Sequence, residues 1–110
     1  MFVQLRFVDL TVRQRRLLVE ALSSYNNLYY QSLSAGESMD LLFMANSIAD
    51  YNFKFTNNIS VMSDSNIRDA YDVFVWLTKN YSSLPVGFRN RFPEKSLVTL
   101  RQALFNSLLP

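Results

Sequence analysis

The chain of 110 residues has no histidine and no cysteine. Histidine is the only side chain whose unperturbed pKa lies near neutrality, and cysteine supplies the common thiolate nucleophile and soft metal ligand. Their absence argues against most neutral-pH catalysis and most metal chemistry, and it fits a reducing compartment. Glycine is scarce too. With only Gly36 and Gly87, a glycine-rich phosphate loop cannot be built, and no EF-hand, Walker or nucleophile-elbow pattern occurs. No run is long and apolar enough to span a bilayer. Lysine occurs only at positions 54, 79 and 95. The remaining bases are arginines, whose planar fork stacks and makes bidentate bonds, a bias toward interfaces over plain solubility.

What is left for catalysis is carboxylates. Asp69 and Asp72, at i and i+3 with Asp64 just before them, form the best pair. Acids at a helix start are also what dipole complementarity predicts of ordinary surface residues. The expectation is therefore a protein that binds rather than transforms: no enzyme, no cofactor, no metal and no small-molecule substrate.

A hydrophobic fraction of 49% and a charged fraction of 18% are those of a folded chain, and its length suits one domain over residues 1–110. The segment Met1–Phe7 alternates and carries Arg6, so it reads as neither a signal nor a transit peptide. A cytoplasmic setting is expected, or host cytoplasm or nucleus for a viral protein. The sequons Asn58-Ile59-Ser60 and Asn80-Tyr81-Ser82 then read as coincidences. A short chain rich in Asn and Ser and poor in Lys suits a small viral, phage or mobile-element accessory protein. The net charge of +2 conceals an acidic middle, residues 34–75, and basic flanks.

Val3-Gln4-Leu5-Arg6-Phe7 alternates like a strand with one buried face. Thr11 and Gln14 have the spacing of a capping box, opening a helix in which Leu18, Leu22, Tyr25, Leu28, Tyr29 and Leu33 share one arc. Asn26-Asn27 is its weakest point, and Gly36 offers a stop. A second helix is predicted over about 38–51. Phe53-Lys54-Phe55 and Ile59-Ser60-Val61 read as a hairpin around Thr56-Asn57-Asn58. Ser63 to Ser65 cap a central helix carrying Ile67, Ala70, Tyr71, Phe74, Leu77 and Tyr81. An irregular stretch, 82–92, leaves room for one helical turn, and Pro93 opens a last helix with the stripe Leu97, Leu100, Leu104 and Leu108. The fold class is α+β and predominantly helical: strand, two helices, hairpin, two helices. An all-α bundle is the alternative.

Two kinds of surface compete for function. Val98, Phe105 and Leu109 form a second apolar seam on the last helix, about 100° around from its leucine stripe. One core needs one stripe, so the second implies self-association, as a dimer or higher oligomer, or docking of another protein. The competing reading has the N-terminal strand or the 82–92 loop covering it. Trp76 and Phe43 stand on otherwise polar arcs and are further interface candidates; for Trp76 the alternative is a cover from the Phe88–Phe92 loop. Val12, Val19 and Tyr30 form a weaker third patch. The alternative function is single-stranded nucleic-acid binding, with Arg13, Arg15, Arg16, Arg89 and Arg91 meeting phosphates and Phe88 and Phe92 stacking on bases.

Overall fold

A computed structural model describes residues 5–29, residue 36 and residues 59–109. The fold is mixed α+β and predominantly helical. The described elements are β1 (Leu5–Asp9), α1 (Val12–Tyr29), β2 (Ile59–Ser63), α2 (Asp64–Lys79), α3 (Val86–Arg91) and α4 (Glu94–Leu108), with a 3-10 turn at Tyr81–Ser83. The helix expected over 38–51 with its Phe43, the hairpin arm 53–55, and Tyr30 all lie outside the described residues.

β1 and β2 pair antiparallel, with Phe7 opposite Val61 and Leu5 opposite Ser63. The face that β1 buries is the opposite of the expected one. Val8 and Leu10 are fully buried, whereas Phe7 is 74% exposed. The alternation changes phase inside the strand: apolar residues stand at 5 and 7, then at 8 and 10, so either face can supply two of them. Arg6 decides between the faces. Its Nε donates to Asp64 at 2.6 Å and its Nη1 donates to the Ser107 carbonyl at 3.3 Å, so a charge on the inner side of the strand is satisfied at the edge of the core.

Each helix start follows its local chemistry. The Thr11 amide donates to the Gln14 side chain at 2.8 Å and the Gln14 amide donates to the Thr11 hydroxyl at 3.1 Å. This is the reciprocal capping box the spacing predicts. Ser63 caps α2, accepting from the Asn66 amide at 3.2 Å. Pro93 stands at the N-cap of α4, one position earlier than expected.

The core forms where α2 runs along α4. Phe74, Leu77, Leu97, Leu100 and Leu104 are buried between them, with Leu18 and Leu22 from α1. Burying a Leu or Phe side chain stabilises by about 1.5–3 kcal/mol. Arg101 Nη1 donates to the Thr78 hydroxyl at 2.7 Å and closes the edge of this contact. α1 passes unbroken through Asn26-Asn27, with Asn26 buried. Leu28, placed by periodicity on the inner arc, is instead exposed.

The stretch 82–92 is more ordered than its composition implies. The Tyr81 hydroxyl sits between the carbonyls of Arg89 and Phe92, 3.1 and 2.9 Å away, and Arg89 Nε donates to the Leu84 carbonyl at 3.0 Å. Phe88 and Phe92 pack against each other with ring centroids 4.7 Å apart. These contacts fold α3 back as a compact corner leading into α4.

Candidate functional site

Two grooves lie side by side against α4. The first, of about 590 Å³, runs between β1 and α4, with Phe7, Asp9, Val98, Gln102, Ala103 and Asn106 on its walls. Among the described residues Asp9 is the only charged one lining it. The second, of about 450 Å³, lies between the first turns of α1 and α4 and the end of α3. Arg13, Arg91 and Lys95 line it, with no acid among the described residues. Gln14 and Thr99 line both grooves, which makes them neighbours.

The neutral groove takes its shape from the phase of β1. Because Val8 and Leu10 turn inward, Phe7 projects outward beside α4, where Val98 is half-buried. The rest of the second seam stands open: Phe105 is 42% exposed and Leu109 51% exposed. The Phe105 ring centroid lies 5.9 Å from that of Tyr71 on α2. β1 shares the groove with Val98, and Phe105 and Leu109 remain exposed. The sequence reading missed Phe7. The phase change between Phe7 and Val8 was the signal that its inward placement was unsafe. Val86, an exposed apolar residue at the start of α3, was missed as well.

Trp76 is 38% exposed. Its cover is not the Phe88–Phe92 loop. Tyr25 and Tyr29 of α1 meet it edge-on, with ring centroids 5.6 and 5.0 Å away. Edge-to-face pairs of this kind add about 0.5–1.5 kcal/mol each beyond area burial. Trp76 therefore works at least partly as the seal between α1 and α2.

The basic residues expected to act together separate into two groups. Arg13 and Arg16 are exposed at the start of α1, whereas Arg15 is only 4% exposed and shares the inward face of Leu18 and Leu22. Arg89 is engaged with the Leu84 carbonyl. Phe88 and Phe92 are buried, so neither presents a ring for a base to stack on. Arg91 remains at the surface. It pairs with Glu20 of α1 at 3.1 Å, and its guanidinium carbon lies 5.6 Å from the Phe92 ring centroid, inside cation–π range. Lys95, in the first turn of α4, joins Arg13 and Arg91 in the second groove. Only the fold brings them together, since α1 and α4 are far apart along the chain.

The acids do not gather into a site. Asp64 is held by Arg6 and by Arg68 at 3.0 Å. The Arg68 hydrogen bond foremost, opposed by partial desolvation and reinforced by Arg6, holds its carboxyl below the usual value of 3.8. Asp69 and Asp72 are exposed. Among the described residues no group of three or more acids converges as a metal site would require, and no helix is long and apolar enough to cross a membrane. No protein-family model, curated protein or solved structure matches this chain.

Proposed function

We propose that this chain is a non-enzymatic interaction protein that associates with a second copy of itself through β1 and the outer arc of α4, around Phe7, Val98, Phe105 and Leu109, in a cytoplasmic setting. The observation that carries this reading is the outward Phe7 on the rim of a groove with a single charged residue. A phenylalanine left in water forgoes about 1.5–3 kcal/mol of burial, which a partner restores. A twofold contact sets the same patch against itself, so it must carry little charge of one sign. The neutral groove meets that condition, and its cationic neighbour does not. Aromatic anchors seated in a partner's pocket are the residues that dominate interface energetics.

Light-scattering mass over a concentration series tests this proposal. The expected result is a mass above the 12.8 kDa of one chain, returning to that of one chain in Phe7→Glu. A wild-type chain that stays monomeric at the highest soluble concentration overturns self-association. So does an oligomer that persists unchanged in Phe7→Glu and Phe105→Glu, given intact circular dichroism.

A further inference from the structure

We infer that the groove between the first turns of α1 and α4 binds phosphate-bearing anions, with Arg13, Arg91 and Lys95 as the contacting cations. Three cations reach it from three different elements, and among the described residues its lining contains no acid. Its walls include the buried Leu100 and half-buried Leu17. Apolar walls lower the local dielectric and strengthen the field these cations project into the groove. The placement runs against what helix stability alone favours. α1 has no acid in its first turn and carries Arg13 there; in the first turn of α4 Lys95 lines the groove, whereas its neighbour Glu94 stands outside the lining. Both helix starts already present positive dipole ends, so cations in both first turns raise the positive potential of one groove from two sides. An arriving anion relieves that accumulation.

Arg91 is already paired with Glu20 and set against the Phe92 ring, and Glu20, which stands outside the groove lining, competes with a ligand oxyanion for the same guanidinium. Glu20 is thus an internal competitor. Among the described residues the groove offers no aromatic side chain for base stacking, so the group it recognises is the phosphate. That phosphate can belong to a small polyanion or to a nucleic-acid backbone.

The test uses the full chain with two probes, tripolyphosphate and a labelled oligothymidylate, at low salt and across a salt series. Both are expected to bind, to shift the amide resonances of Arg13, Gln14, Lys95 and Ser96, and to weaken as salt rises because phosphate contacts release counterions. Arg13→Glu and Lys95→Glu should each weaken binding about tenfold, as loss and reversal of a contacting charge predicts. Glu20→Gln should tighten it by about two- to fivefold, because the competitor is gone. An oligothymidylate that binds about tenfold tighter than tripolyphosphate assigns a nucleic-acid backbone, and parity assigns a small polyanion. Absence of binding by both probes at low salt overturns the inference. So does binding that neither charge reversal weakens, or that Glu20→Gln diminishes. Lys95 is exposed, so its variant keeps the test valid if Arg13→Glu disturbs the start of α1.

Discussion

The two grooves beside α4 share Gln14 and Thr99 and differ almost entirely in charge. Among the described residues, one carries the single charge of Asp9 and is rimmed by an exposed aromatic ring; the other holds three cations and no acid. Neighbouring surfaces on the same pair of helices can therefore favour opposite partners. On the proposed reading the first groove would accept a copy of itself, whereas the cationic groove would repel its copy and attract an anion. The supports also differ. β1 frames the first groove and is fixed among the described residues by the Arg6–Asp64 ion pair and one sheet partner, while the cationic groove rests on the Tyr81–Phe88–Phe92 corner, in which the two phenylalanine rings are buried and the Tyr81 hydroxyl is hydrogen-bonded.

The supports can be broken one at a time. Phe92→Ala should cost about 3–5 kcal/mol of stability, as large core truncations do, measured by denaturant unfolding. Where the variant still folds, Arg91 loses its ring and anion binding should fall while self-association persists. Phe7→Glu should have the converse profile: a dimer dissociation constant raised at least about tenfold, given the burial lost, with the stability of the single chain little changed. Tyr81→Phe removes one hydroxyl shared by two carbonyls and should cost about 1–2 kcal/mol, with anion binding more affected than self-association.

The smallest effect is that of pH. Because the Asp64 carboxyl titrates below its ordinary value of 3.8, its ion pairs contribute fully above that value. Their contribution disappears as pH falls through the lower folded value. Acid titration followed by amide exchange should then show β1, tied to Asp64 through Arg6, loosening before the Tyr81 corner, which is held by hydrogen bonds to the carbonyls of Leu84, Arg89 and Phe92 and touches a carboxylate only through the exposed Arg91–Glu20 pair. Simultaneous loosening of both would erase the distinction between the supports.

The sequence was most legible where one signal acted alone. The capping box at Thr11 and Gln14, the Ser63 cap, and the stripe Leu97, Leu100 and Leu104 all appear as their spacing predicts. It was least legible where two signals of similar strength competed. In β1 the apolar residues support either phase, and the deciding contact, from Arg6 to Asp64, is distant in sequence. Phe88-Arg89-Asn90-Arg91-Phe92 resembled a stacking platform because arginines alternate with aromatics. Tyr81 and the Leu84 carbonyl, which turn its rings and Arg89 inward, could not be read as partners from composition. Arg13, Arg91 and Lys95 illustrate the same limit: each looked like an ordinary surface cation, and their meeting depends on how α1 docks beside α4.

The Arg6 guanidinium joins the second half of the chain to its first strand, and its link to the Ser107 carbonyl spans nearly the whole sequence. Contacts of such separation bear the greatest loop-closure cost and form late. During synthesis, β1 therefore cannot acquire its final anchorage until α4 has left the ribosome. The face that carries Phe7 is thus completed only once α4 has formed, and the proposed pairing with a second copy would follow that step rather than precede it.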